Sequence, residues 1–141
     1  MTGLEAVTAV ATYLDGLKQE LFGDSEGRVF KYDDKEKGYS GQYIAVNNLP
    51  FVSRGAVGEG TINVNVHVPK LPKTEQADTR RLTQIVKRIV PLFKSEYGAY
   101  LDGAYFKHFS DGRPTPDNDG TYYVNIQLDC SFNNLSEELN S

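Results

Sequence analysis

Two histidines, one cysteine and a scatter of carboxylates are the side chains here that could do chemistry. His67, His108 and Asp129 all fall in segments with strand patterning, and two imidazoles with a carboxylate form a donor set that a divalent cation accepts. Their spacing carries no ligand signature, so they read first as polar surface residues. Cys130 alternates with apolar neighbours and reads as a small buried hydrophobe; a nucleophilic thiol needs a base and partial exposure. A single cysteine also excludes an internal disulfide. Asp117, Asn118, Asp119 and Gly120 share letters with a calcium loop but lack its ligand spacing and closing glutamate, so they read as a turn. Gly55, Gly58 and Gly60 join two strands and open no helix, which rules out a phosphate cradle. The sequon Asn134, Leu135, Ser136 has meaning only in a secreted chain. No residue is assigned a catalytic, metal-binding or cofactor-binding role, and no cofactor is expected.

The elements that would carry these residues follow from periodicity. Ile62, Val64, Val66 and Val68 alternate with Asn63, Asn65 and His67, the pattern of a strand buried on one face. Leu82, Ile85, Val86, Ile89, Val90 and Phe93 fall on one stripe at about 100° per residue, which predicts a helix lying on the valine face. Pro91 sits opposite that stripe and predicts a kink convex to solvent. Thr2 and Glu5 fit a capping box opening a first helix, with Leu4, Val7, Val10, Leu14, Leu17 and Leu21 as its apolar side and Gly23 at its end. Short strands are predicted over 27–32 and 42–49, and a longer aromatic one over 100–109 with an irregularity at Gly103. A last strand over 121–132 sets Tyr122, Val124, Ile126, Leu128 and Cys130 against Tyr123, Asn125, Gln127 and Asp129. The segments 53–60 and 110–120 are expected to be mobile loops, and 133–141 a frayed tail.

These elements predict one α+β domain over residues 1–141. It is a two-layer sandwich in the order α-β-β-β-α-β-β, with about five mostly antiparallel strands and two helices on one face. The 141 residues suffice for a core, and no segment approaches the roughly 20 apolar residues of a membrane span, so a soluble cytoplasmic product is expected. The formal net charge is −4, which argues against a domain built to hold nucleic acid by its phosphates. The charge is patchy. Arg80, Arg81, Lys87, Arg88 and Lys94 occupy the second helix region, whereas Asp33, Asp34, Asp111 and Asp119 lie in acidic loops. Opposite patches on one subunit favour self-association. The polar sheet face, with Asn63, Asn65, Asn125 and Gln127, is nearly uncharged, as suits a surface looking into an assembly or channel.

The capped first helix, the Gly27-Arg28-Val29-Phe30 strand, the alternating strand feeding a helix, and the late pairing of Tyr105–Phe109 with Tyr122–Phe132 together resemble the tail terminator, or tail completion, proteins of long-tailed phages. The resemblance spans about Leu4 to Phe132 and is one of order, length and pattern. It implies a structural virion protein rather than an enzyme: a six-fold ring in the neck, assembled in the host cytoplasm, that caps the tail tube and joins it to the head connector. DNA would pass through without specific binding. On that reading Arg80, Arg81, Lys87, Arg88 and Lys94 meet Asp33, Asp34, Asp111 or Asp119 of a neighbour. Asn63, Asn65, Asn125 and Gln127 face the lumen, and Arg54, Glu59, Arg113 and Asp117 on the two loops contact partners. Another neck or head-tail adaptor protein is the nearest alternative. A small nucleic-acid-binding domain and a metal-dependent enzyme using His67 and His108 belong to other classes.

Overall fold

The computed structural model describes residues 1–23 and 25–133; of the expected frayed tail 133–141, Asn133 is instead the end of the last strand, paired with Val57, and the rest, with the sequon, lies outside the described residues. The first helix, α1 (Gly3–Gly16), opens on the capping box: Thr2 Oγ1 accepts from the Glu5 amide and Glu5 returns the bond to the Thr2 amide, both at 3.1 Å. The single helix expected to reach Gly23 breaks at Leu17, and α2 (Lys18–Phe22) follows. Leu4, placed on the apolar side in the sequence reading, is 68% exposed because the buried stripe runs through Ala6, Val7, Val10 and Leu14.

Eight strands form one curled, mixed sheet where about five were expected. In chain order they are β1 (Gly27–Lys31), β2 (Gln42–Asn48), β3 (Val52–Arg54), β4 (Val57–Pro69), β5 (Ala99–Leu101), β6 (Ala104–Asp111), β7 (Thr115–Pro116) and β8 (Thr121–Asn133). The main path runs β1-β2-β4-β8-β6-β5, with β3 paired to β4 and β7 to β8. Only β1 and β2 are parallel; the other pairings are antiparallel.

Three of the strands lie in segments read as loop or as continuous. The glycine-rich segment 53–60 is a hairpin, in which Arg54 pairs with Val57 around Gly55 and Ala56. Gly55 has φ +66°, the conformation required at the first central position of a two-residue hairpin turn, which glycine adopts without strain. The segment 100–109 is likewise two strands joined at Asp102 and Gly103, both at positive φ (53° and 88°). This is the aspartate-glycine type of tight turn, and the bulge sits instead between His108 and Ser110. The third is β7, inside 110–120, and it pairs Thr115 with Tyr123.

The third helix, α3 (Thr79–Ile89), is N-capped by Asp78, whose carboxylate accepts from the Arg81 amide. The expected kink at Pro91 is a change of helix type: Val90–Phe93 tightens into a 3-10 turn, with Pro91 at its start where a missing N–H costs little. The valine face of β4 and the stripe of α3 meet as expected, and Ile62, Val64, Val66, Leu82, Ile85, Ile89 and Phe93 are all at most 2% exposed. Cys130 lies in the same core, and burial pushes its thiol up to about 12, which removes it as a nucleophile at neutral pH.

Candidate functional site

With the helices covering one face, the site is on the other. The register of β2, β4 and β8 lays its side chains out as three rungs: Asn47, Asn63 and Gln127; Ala45, Asn65 and Asn125; Tyr43, His67 and Tyr123. Alternation along each strand puts every one of these groups on the same side.

The first two rungs form a neutral amide lattice. Asn63 Nδ2 donates to Asn47 Oδ1 at 2.9 Å, and Asn63 Oδ1 accepts from Gln127 Nε2 at 3.1 Å and Asn125 Nδ2 at 3.2 Å. Asn125 Nδ2 also reaches Asn65 Oδ1 at 2.8 Å, and Ser110 Oγ donates to Gln127 Oε1 at 3.0 Å. Asn63 is the hub and is only 9% exposed.

The third rung is an aromatic stack tied to a charged knot. His67 lies flat on Tyr43, with centroids 4.2 Å apart and planes 9° apart, and packs on its other side against Tyr123 at 5.0 Å. At the end of the rung Asp119 Oδ2 accepts from Lys35 Nζ at 3.1 Å and from the Tyr43 hydroxyl, while its Oδ1 accepts from the Thr121 amide at 3.1 Å and the Thr121 hydroxyl at 2.6 Å. Four donors fill the roughly four lone-pair sites of a carboxylate. They hold the Asp119 carboxyl well below its ordinary range against the opposing effect of burial. Burial, reinforced by the bond to Asp119, pushes the Tyr43 phenol far above its ordinary value of 10, so it stays a donor.

This arrangement fixes the state of His67. The Thr121 hydroxyl spends its one proton on Asp119, so at 2.9 Å from His67 Nδ1 it can only accept. The neutral imidazole therefore carries its proton on Nδ1 and leaves Nε2 as a lone pair. Burial holds the imidazole below 6.5 despite the pull of Asp119 and of Asp117, whose Oδ2 stands 3.7 Å from Nδ1.

The segment 112–117 rises beside these rungs and closes a cleft of about 530 Å³. Its floor is the amide lattice and His67, and its wall includes Arg113, Thr115, Asp117 and Tyr123.

The metal trio suggested by sequence does not assemble. His67 stands opposite Tyr123 and His108 opposite Leu128, so the imidazoles are five positions apart along β8, about 17 Å, and on opposite faces. Asp129 is six positions from Tyr123, about 20 Å away. His108 bonds Asp111 at 2.5 Å instead. A different trio, His67, Asp117 and Asp119, brings ligand atoms within 4.8 Å of one another. It does not fit a cation: the Asp119 oxygens are already saturated, one of them by the Lys35 ammonium.

The proposed charged contacts divide. Arg80, Lys87 and Lys94 are exposed along α3 and just beyond, Asp33 and Asp34 are exposed in their loop, and Asp111, exposed at the end of β6, is already paired with His108. Arg81, half-buried, and Arg88, exposed, are both engaged within the chain. Arg81 donates to the Phe22 carbonyl at 2.5 Å and to Gln42 at 2.8 Å, and Arg88 donates to the Leu21 carbonyl at 3.0 Å, so together they cap the C-terminus of α2. Asp119 is likewise spent within the chain. Arg54 and Glu59 belong to the β3–β4 hairpin rather than to a loop, and the Arg54 side chain lies outside the described atoms. Alternation had placed His67 and the amides on one face. The Lys35–Asp119 contact, across 84 positions, had no local signal.

No family model and no curated protein matches this chain. Solved structures share the fold; one of them superimposes on 91% of this chain and over 92% of its own, with a TM-score of 0.56 and 18% identity. Among the described residues, no helix is long and apolar enough to cross a membrane.

Proposed function

We propose that this chain is a structural subunit, a tail terminator of a long-tailed phage, which assembles into a six-fold ring that caps the tail tube and meets the head connector. The observation that carries the reading is the amide lattice: a sheet face whose middle rows are Asn47, Asn63, Asn65, Asn125 and Gln127, bonded to one another and without a lysine or arginine. Such a face, turned to a lumen, would let DNA slide, because phosphates are held chiefly by lysine and arginine. An exposed monomer surface ordinarily carries those charges. The helical layer bears Arg80, Lys87 and Lys94, and Asp33 and Asp34 lie in a loop, which supports a head-to-tail contact between unlike patches. Arg81, Arg88, Asp111 and Asp119 drop out of that contact because their partners are internal.

Another neck or adaptor subunit would share these features, and capping of purified tail tubes separates the two. Native mass spectrometry and negative-stain imaging at low and high salt test the ring itself. Charge reversal of Arg80 and Lys87 to glutamate is expected to weaken the ring and steepen its salt dependence. A monomer at every concentration removes the proposal.

A further inference from the structure

The main path of the sheet ends at β1, and the pairing fixes where its main-chain groups point. Tyr32 N–H donates to the Val46 carbonyl at 2.8 Å, so Tyr32 and, by alternation, Phe30 and Arg28 turn their N–H and C=O groups toward β2. Gly27, Val29 and Lys31 point theirs the other way. The Lys31 carbonyl accepts from the Asp34 amide at 3.0 Å, but no bond among the described residues takes the Lys31 amide or either group of Gly27 and Val29.

Sheet edges are ordinarily blunted by a very short strand, a proline, a bulge or a covering element. The far end of the path follows that rule, because β5 has only three residues. In contrast, β1 has five, no proline and an unbroken register with β2. Instead of a covering element, a cleft of about 980 Å³ runs along it, lined by Gly27, Val29 and Phe30 and by Asp15, Lys18 and Gln19 of the first two helices.

The unpaired groups select the class of ligand. They lie on a single strand, they recur at every second residue, about 6.6 Å, and each full step presents a main-chain donor and acceptor together. A second extended polypeptide matches that array, and a sugar or nucleotide does not. Charge narrows the sequence of the segment. Asp15, Glu26 and Glu36 line the cleft against Lys18 and Arg28, and Asp15 holds Lys18 at 3.6 Å while Glu36 and Glu26 hold Arg28 at 2.6 and 3.5 Å. Both cations are engaged and one negative charge is left over, which favours a basic segment.

We propose that β1 is a docking edge for an extended, lysine- or arginine-bearing polypeptide segment, which adds antiparallel to it, exchanges both main-chain bonds with Val29 and sets its cation among the lining carboxylates. The inference does not rest on the ring: a monomer presents the same edge, and a ring that binds no peptide leaves the proposed function standing.

NMR titration of the isotopically labelled full chain with the blocked peptide acetyl-Thr-Val-Lys-Val-Thr-amide tests it. Saturable shifts of the Val29 and Lys31 amides and slowed solvent exchange of the Val29 amide are expected, with a Kd on the order of 1 mM for so short a probe. The same peptide with its three central amides N-methylated keeps the charge but loses the donors, and is expected to bind about tenfold more weakly or worse. The counterpart with glutamate in place of lysine is expected to lose about threefold. Val29→Pro removes an outward N–H, a change that an edge strand tolerates, and is expected to abolish binding while the Ile44 and Val46 amides stay protected from exchange. Absence of saturation overturns the proposal, as does equal binding by the N-methylated peptide, since the occupant is then held without strand pairing. Equal binding by the glutamate peptide overturns the basic segment. Shifts of the same amides that follow protein concentration with no peptide present assign the edge to a second copy of the chain and overturn the proposal as well.

Discussion

The polar face holds two ways of satisfying side chains on one sheet, a few residues apart. The amide lattice around Asn63 is neutral, and each bond exchanges a hydrogen bond to water for one to a neighbouring amide. The knot around Asp119 is ionic and half-buried, and it ties the loop holding Lys35 to the turn entering β8. The knot must offset the desolvation of its charges, which it does by meeting the carboxylate with four donors. The lattice should therefore be indifferent to pH and tolerant of substitution, whereas the knot should be sensitive to both.

Three substitutions or conditions would break or sharpen this contrast, the largest effect first. Asp119→Ala leaves Lys35, Tyr43 and both Thr121 donors without their acceptor and is expected to cost about 3 kcal/mol in urea denaturation. A cost no larger than that of a lattice variant would erase the distinction.

Acidification comes next. The unfolded chain protonates His67 near its ordinary 6.5, while the folded chain resists because burial depresses that value. Protons thus bind the unfolded state in excess, and stability falls as pH drops from about 6.5. Below the ordinary 3.8 of Asp119, its depressed value in the folded chain adds a second loss of the same sign. His67→Gln is expected to flatten the first of these slopes, and a lattice variant to keep it; thermal denaturation across pH measures both.

The smallest effect is Gln127→Ala, which removes two neutral bonds, one to Asn63 and one from Ser110, and is expected to cost about 1 kcal/mol with no pH dependence. The same denaturation series at two pH values checks it.

Much of this organisation was legible in residue patterns. The capping box, the valine face of β4, the α3 stripe and the alternation in β8 each rest on contacts a few residues apart or on a strict period, and they appear where that period puts them. The Asp102–Gly103 hairpin was legible too, because an aspartate-glycine pair between β-prone residues is a strong local turn signal; reading one long strand through it missed that signal. The β3–β4 hairpin was harder. Its glycines weaken a strand by propensity, and pairing along the full length of β8 overrides them.

By itself the sequence determined which residues face the core and which the polar side, because hydrophobic burial acts residue by residue along a fixed period. It also determined that the polar side would be rich in amides and poor in charge. Only the tertiary structure decided which polar groups meet. The parallel placement of β1 against β2 sets Lys35 beside Asp119, and the registers of β4 and β6 on β8 lay His67 against Tyr123, five strand positions and a face away from His108 and six positions from Asp129. Register is a property of paired strands, and no single strand's pattern contains it.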